Sequence, residues 1–72
     1  MSKMDAKLIP STIVESLGRS GAQEFEELYK AVQKLHSDLN QHEFNRTLME
    51  MEIQGLVRVT RMTRGKRRIE LA

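Results

Sequence analysis

The sequence predicts an α+β domain of three short helices followed by a C-terminal two-stranded β-hairpin. Three observations predict it. Apolar residues recur at helical spacing in three segments before residue 54, the period changes from 3.6 to 2 after Leu56, and Gly or polar clusters mark each change. A chain of 72 residues buries only about 60% of its unfolded surface and feeds a single core. With no internal repeat or linker, it reads as an N-terminal tail over residues 1–7 and one domain over 8–72.

The first helix is expected over about 10–19. Pro10 suits a first helical turn, Thr12 and Glu15 have the spacing of a capping box, and Leu8 or Ile9, Ile13, Val14 and Leu17 keep helical spacing up to Gly18 and Gly21. The second is expected over about 23–35, where Phe25, Leu28, Tyr29, Val32 and Leu35 form one stripe. Glu24, Glu26 and Glu27 lie in its first turn and Lys34 near its end, as the helix dipole prefers. His36-Ser37-Asp38 breaks the pattern, and Leu39 is a lone apolar anchor for a tight turn.

Asn40, with Glu43 three residues on, then caps a third helix that turns Phe44, Leu48, Met51 and Ile53 inward and ends at Gly55 in the left-handed conformation. Gln41, His42, Asn45, Arg46 and Met49 fall on its other sides. Finally, Val57 and Val59 alternate with Arg58 and Thr60, and Ile69 and Leu71 with Arg68 and Glu70. Thr63-Arg64-Gly65-Lys66 supplies the turn, with Arg64-Gly65-Lys66 at the tip. A lone hairpin is marginal in water, so these four apolar residues are expected to close over the helices.

Charge is unevenly placed. Residues 1–52 carry six basic against nine acidic side chains, a balance of −3, whereas residues 53–72 carry Arg58, Arg61, Arg64, Lys66, Arg67 and Arg68 against Glu70 alone, a balance of +5. A small domain with one cationic edge attracts polyanions there. The remaining composition, 39% hydrophobic and 31% charged, is ordinary for a globular chain. The absence of Cys removes disulfides, thiolate zinc sites and cysteine nucleophiles. No apolar run approaches the roughly 20 residues of a bilayer span, and MSKMDAKLIP has no apolar leader core. A cytoplasmic protein is expected, without membrane contact.

Catalytic readings find little to stand on. There is no Gly-rich phosphate loop and no Ser or Thr beside a base, so neither enzyme activity nor a cofactor is expected. His36, Asp38 and His42 straddle a turn without a fourth ligand, which argues against a metal.

The run Phe44-Asn45-Arg46-Thr47-Leu48-Met49-Glu50-Met51-Glu52-Ile53-Gln54-Gly55-Leu56-Val57-Arg58-Val59 resembles the winged helix, in which a third helix ends in Leu, Glu, Gly, Leu and Val before the first wing strand. The likeness covers residues 8–72, and compact archaeal and bacterial winged-helix regulators look most similar. It implies a double-stranded DNA-binding, transcription-related protein whose third helix enters the major groove while the hairpin lies on phosphates. Carried onto this chain, Gln41, His42, Asn45 and Arg46 would read bases, and Arg61, Arg64, Lys66, Arg67 and Arg68 would meet phosphates. The chemistry is apt, since amides pair with adenine and guanidinium with guanine, while phosphate contacts orient without reading sequence. Asn45-Arg46 is also similar to the pair used by winged helices that bind left-handed duplexes, but Met49 stands where those carry a stacking Tyr.

Other readings stand beside this one. The basic hairpin can be a solvated edge that discourages strand pairing, the polar α-helical residues can be mere surface, and Arg58 can pair with Glu50, Glu52 or Glu70. Winged helices also serve as protein-protein interaction modules. Met49, with Leu8, Ile9 or Tyr29, could form an apolar patch for a homodimer or another protein. RNA is disfavoured because Phe25, Tyr29 and Phe44 all fall on buried stripes, leaving no stacking platform.

Overall fold

Ile9, Ile13 and Leu17 recur every four residues, and in the computed structural model, which describes residues 8–72, they form the buried side of helix α1 (Leu8–Ser20). The expected tail over 1–7, with Lys3, Met4 and Lys7, lies outside the described residues. α1 is already helical at Leu8, so Thr12 is an interior residue and not the cap its spacing with Glu15 predicts. Its hydroxyl donates to the Leu8 carbonyl at 3.0 Å and meets His36 Nε2 at 2.8 Å. One hydroxyl has one proton, so the Thr12 oxygen accepts from a protonated Nε2. His36 Nδ1 is buried and has no hydrogen-bond partner among the described residues.

Gly21, at φ +80°, turns the chain out of α1. Residues 23 and 24 do not begin the second helix. Gln23–Glu24 form a short strand, β1, before α2 (Phe25–Gln33). The Gln23 side-chain amide donates to Ser16 Oγ and to the Ser16 carbonyl, at 3.1 and 3.3 Å, which ties β1 to α1. The Glu24 N–H donates to Glu27 Oε1 at 3.3 Å, so the helix start that the acids signal is displaced to Phe25. α2 buries Phe25, Leu28 and Val32. Leu35, expected on the same stripe, falls beyond the helix end and is 59% exposed, while His36 takes the interior position.

Leu39 anchors the turn into α3 (Gln41–Ile53), with its carbonyl accepting from Tyr29 Oη at 3.3 Å and Gln33 Nε2 at 3.1 Å. Asn40 caps α3 by accepting from the Glu43 N–H at 2.8 Å. Phe44, Leu48 and Met51 are buried, but Ile53 is 84% exposed, because two residues past Met51 is about 200° around the helix, the side away from the core. Gly55 ends the helix at φ +81°. Phe44 lies at the centre, 5.1 Å from the Phe25 ring at 63° and 5.3 Å from Tyr29. Each such aromatic pair adds about 0.5–1.5 kcal/mol beyond its burial.

The hairpin follows as β2 (Val57–Arg61) and β3 (Arg67–Leu71). The sheet, however, has three antiparallel strands in the order β1-β3-β2, not the two expected. Gln23 and Glu24 face Ile69 and Arg68, so the central strand β3 is paired on both sides there. Val57 and Ile69 are buried and Val59 partly so, whereas Leu71, expected inside, is 39% exposed at the sheet end beside Gly18. Three helices with this antiparallel sheet make an α+β domain compatible with a winged helix.

Candidate nucleic-acid interface

The Asn40 cap places the first turns of α3 at the protein surface, beside the hairpin tip. Met62–Lys66 forms that tip, closed by a hydrogen bond from the Met62 N–H to the Lys66 carbonyl at 2.7 Å. Arg64 and Gly65 both take positive φ, 65° and 74°, which makes the reversal tight. Between the tip, the start of α2 and the start of α3 lies an open cleft of about 530 Å³. Gln41, His42 and Asn45 line one side, Lys66 and Arg67 another, and Glu24, Phe25 and Glu26 the floor and rim. Three of the four residues expected to read bases and two of the five expected to hold phosphates thus border one space.

The basic residues do not act as one group. In a strand, neighbours point to opposite faces, and the register pairs Arg61 with Arg67 and Thr60 with Arg68. Arg61 and Arg67 therefore share the face of Val59 and Ile69, toward the helices. Arg68 shares the other face with Arg58, Glu70 and, across β1, Glu24. Arg61, Arg64, Lys66 and Arg68 are all exposed. Among the described residues the one ion pair is Arg58 Nη1 to Glu70 Oε2 at 3.4 Å, and none of those four has a carboxylate of the described residues within ion-pair distance.

Arg67 differs from the rest. It is half-buried, its guanidinium carbon sits 4.1 Å from the centroid of the Phe25 ring, and Nη1 donates to Asn45 Oδ1 at 2.6 Å. It clamps the hairpin onto α2 and α3 more than it offers charge to solvent. Gln41 is engaged too, its Nε2 donating to Glu26 Oε2 at 2.7 Å. Asn45 Nδ2 makes only a long contact, 3.6 Å, with Met49 Sδ. His42 and Arg46 are exposed, and neither has a side-chain hydrogen-bond partner among the described residues.

Two contributors were not marked by the sequence. Glu26 reads as a solvated helix acid and Phe25 as a core residue, and only the packing of α2 against α3 makes one a tether and the other a cation platform. Of the residues that could join Met49 in an apolar patch, Leu8 is 47% exposed. Ile9 faces the core and Tyr29 is half-buried, while Met49, 53% exposed, is followed one turn later by Ile53. Among the described residues no group of three His, Asp or Glu side chains could hold a metal, and no helix is long and apolar enough to cross a membrane. Comparison with protein-family models, curated proteins and solved structures found no match.

Proposed function

We propose that this chain is a winged helix that binds double-stranded DNA, in a transcription-related role, with α3 in the major groove and the β2–β3 hairpin along phosphates. The observation that carries the reading is the hairpin end, where Arg61, Arg64 and Lys66 are exposed without a carboxylate partner among the described residues, next to the exposed start of α3. An acidic body with this single cationic end orients a duplex as well as attracting it. Arg46 and His42 on α3 are unengaged and available to base edges.

The test is a salt titration of duplex binding. Arg61, Arg64, Lys66 and Arg68 together neutralise about four phosphates, so the logarithm of affinity falls against log salt with a slope of about −3.6. Replacing Arg61, Arg64, Lys66 and Arg68 by Ala, with Arg67 left in place as part of the scaffold, brings that slope close to zero. A flat salt response in the parent chain, or affinity unchanged in the fourfold variant, overturns the proposal.

One observation favours a second reading, a protein-interaction module. Met49 and Ile53 stand four residues apart on one side of α3, 53% and 84% exposed, and Leu56 follows at 45%. Recovery of a stoichiometric, nuclease-resistant protein partner that is lost on Ile53→Glu, with duplex affinity absent, would select it.

A further inference from the structure

Gln41 and Asn45 lie four residues apart, on one face of α3, and both side chains are carboxamides. A carboxamide is ambiguous as a reader, because rotation by a half turn exchanges its acceptor and donor ends. Here neither is ambiguous. Gln41 contacts Glu26 Oε2 at 2.7 Å, and an ionised carboxylate only accepts, so the Gln41 amino group must face Glu26 and its Oε1 is left over. Asn45 contacts Arg67 Nη1 at 2.6 Å, and a guanidinium only donates, so the Asn45 carbonyl must face Arg67 and its amino group, with one proton toward Met49 Sδ at 3.6 Å, has its other proton left over. Arg67 is itself fixed over the Phe25 ring, so the second clamp is anchored in the core.

We propose that Glu26 and Arg67 are positioning residues that set the hydrogen-bond polarity of the α3 reading edge, making Gln41 an acceptor and Asn45 a donor. The inference rests on the DNA-binding reading and deepens it. In the major groove the only base donors are the amino groups of adenine and cytosine, so Gln41 Oε1 selects one of these. Asn45 Nδ2 selects an acceptor, N7 or O6 of guanine, N7 of adenine or O4 of thymine. Neither residue is left with both ends for the two-pronged adenine contact that its residue type offers. Positions four apart are separated by about 6 Å along the helix, so the two contacts fall on different base pairs. The nearly isosteric Glu26→Gln removes the constraint on Gln41, because a second carboxamide can pair with either end. Arg67→Met removes the constraint on Asn45, and Arg67→Lys keeps a donor in its place.

The experiment is selection from random duplexes, scored position by position, with the parent chain, Glu26→Gln, Arg67→Met and Arg67→Lys, alongside affinity for an unselected duplex. The parent is expected to prefer an amino-bearing base at one position and an acceptor at another, each by about tenfold. Glu26→Gln should flatten the first preference to about twofold and leave the second intact, Arg67→Met the reverse, and Arg67→Lys should resemble the parent. Since Arg67→Met also loosens the fold, Glu26→Gln, at an exposed site, carries the inference by itself. Salt-dependent binding with the same preferences in Glu26→Gln as in the parent overturns the polarity claim alone. Absence of salt-dependent duplex binding in the parent overturns it together with the DNA-binding reading.

Discussion

Breaking the Arg67–Asn45 contact tests how the hairpin is held to the helices. Arg67→Met keeps much of the aliphatic stem but removes the charged hydrogen bond at 2.6 Å and the guanidinium over Phe25. A hydrogen bond to a charged group contributes about 1.5–3 kcal/mol, and a partly desolvated cation over an aromatic face about 0.5–2 kcal/mol. Methionine sulfur against the same ring returns about 0.3–1.5 kcal/mol, so the net loss expected is about 2 kcal/mol. Asn45→Ala removes only the hydrogen bond and should cost about 1.5 kcal/mol. The two losses share one interaction, so the double variant should be only slightly weaker than Arg67→Met, giving a coupling of about 1–1.5 kcal/mol. Urea unfolding of the four proteins measures it. With m near 1 kcal/mol/M for so short a chain, Arg67→Met should lower the midpoint by about 2 M at unchanged m. Additive losses, with coupling under about 0.3 kcal/mol, would show that Arg67 is a surface cation and that the clamp does not exist in solution.

Other substitutions probe separate links of the argument. Thr12→Val leaves the buried His36 Nε2–H without an acceptor and should cost about 1–3 kcal/mol in urea unfolding, whereas Thr12→Ser, which restores the hydroxyl, should recover most of it. Gly55→Ala meets no atom within 4 Å, so its whole cost, about 1 kcal/mol, should come from φ +81°, and a neutral result would mean that α3 ends differently. Arg46→Ala should relax base preference at one position by about tenfold while leaving the salt slope within about one unit; uniform weakening on all duplexes would place Arg46 on a phosphate instead.

The elements that the sequence showed clearly are those whose information is local. Phe44, Leu48 and Met51 keep helical spacing behind an Asn cap, Gly55 marks its own left-handed turn, and Val57, Val59 and Ile69 alternate with polar neighbours. β1 was hidden because two residues carry no period, and Gln23 and Glu24 are strand only through pairing with Ile69 and Arg68, more than forty positions later. Leu35 and Leu71 were misplaced for a related reason, since each sits where its element ends, whereas Ile53, about 200° around α3 from Met51, was off the apolar stripe by its own spacing. At the candidate site the residue types were legible but their commitments were not. Nothing in the order of residues says that Gln41 is tethered by Glu26 or that Arg67, unlike Arg68 beside it, turns inward. The alternation of a strand already separates those two arginines, and that is the part of the site a period-2 reading could have resolved.

Arg61 offers a test that separates a functional charge from a merely soluble edge. The register places it directly opposite Arg67 on the same sheet face, and like charges in that relation destabilise a strand pair by about 0.2–1 kcal/mol. A hairpin that needed only solubility or protection from strand addition would gain by a neutral polar residue there. A duplex phosphate seated near the pair would instead screen both charges, so the repulsion in the free protein is relieved in the complex. Arg61→Gln should therefore raise the stability of the free chain by a few tenths of a kcal/mol to about 1 kcal/mol. In the same variant the salt slope of duplex binding should shallow by about one unit. Stability lost together with undiminished DNA affinity would mean that Arg61 is held by the fold for its packing, and the phosphate-facing role of this hairpin face would fall with it.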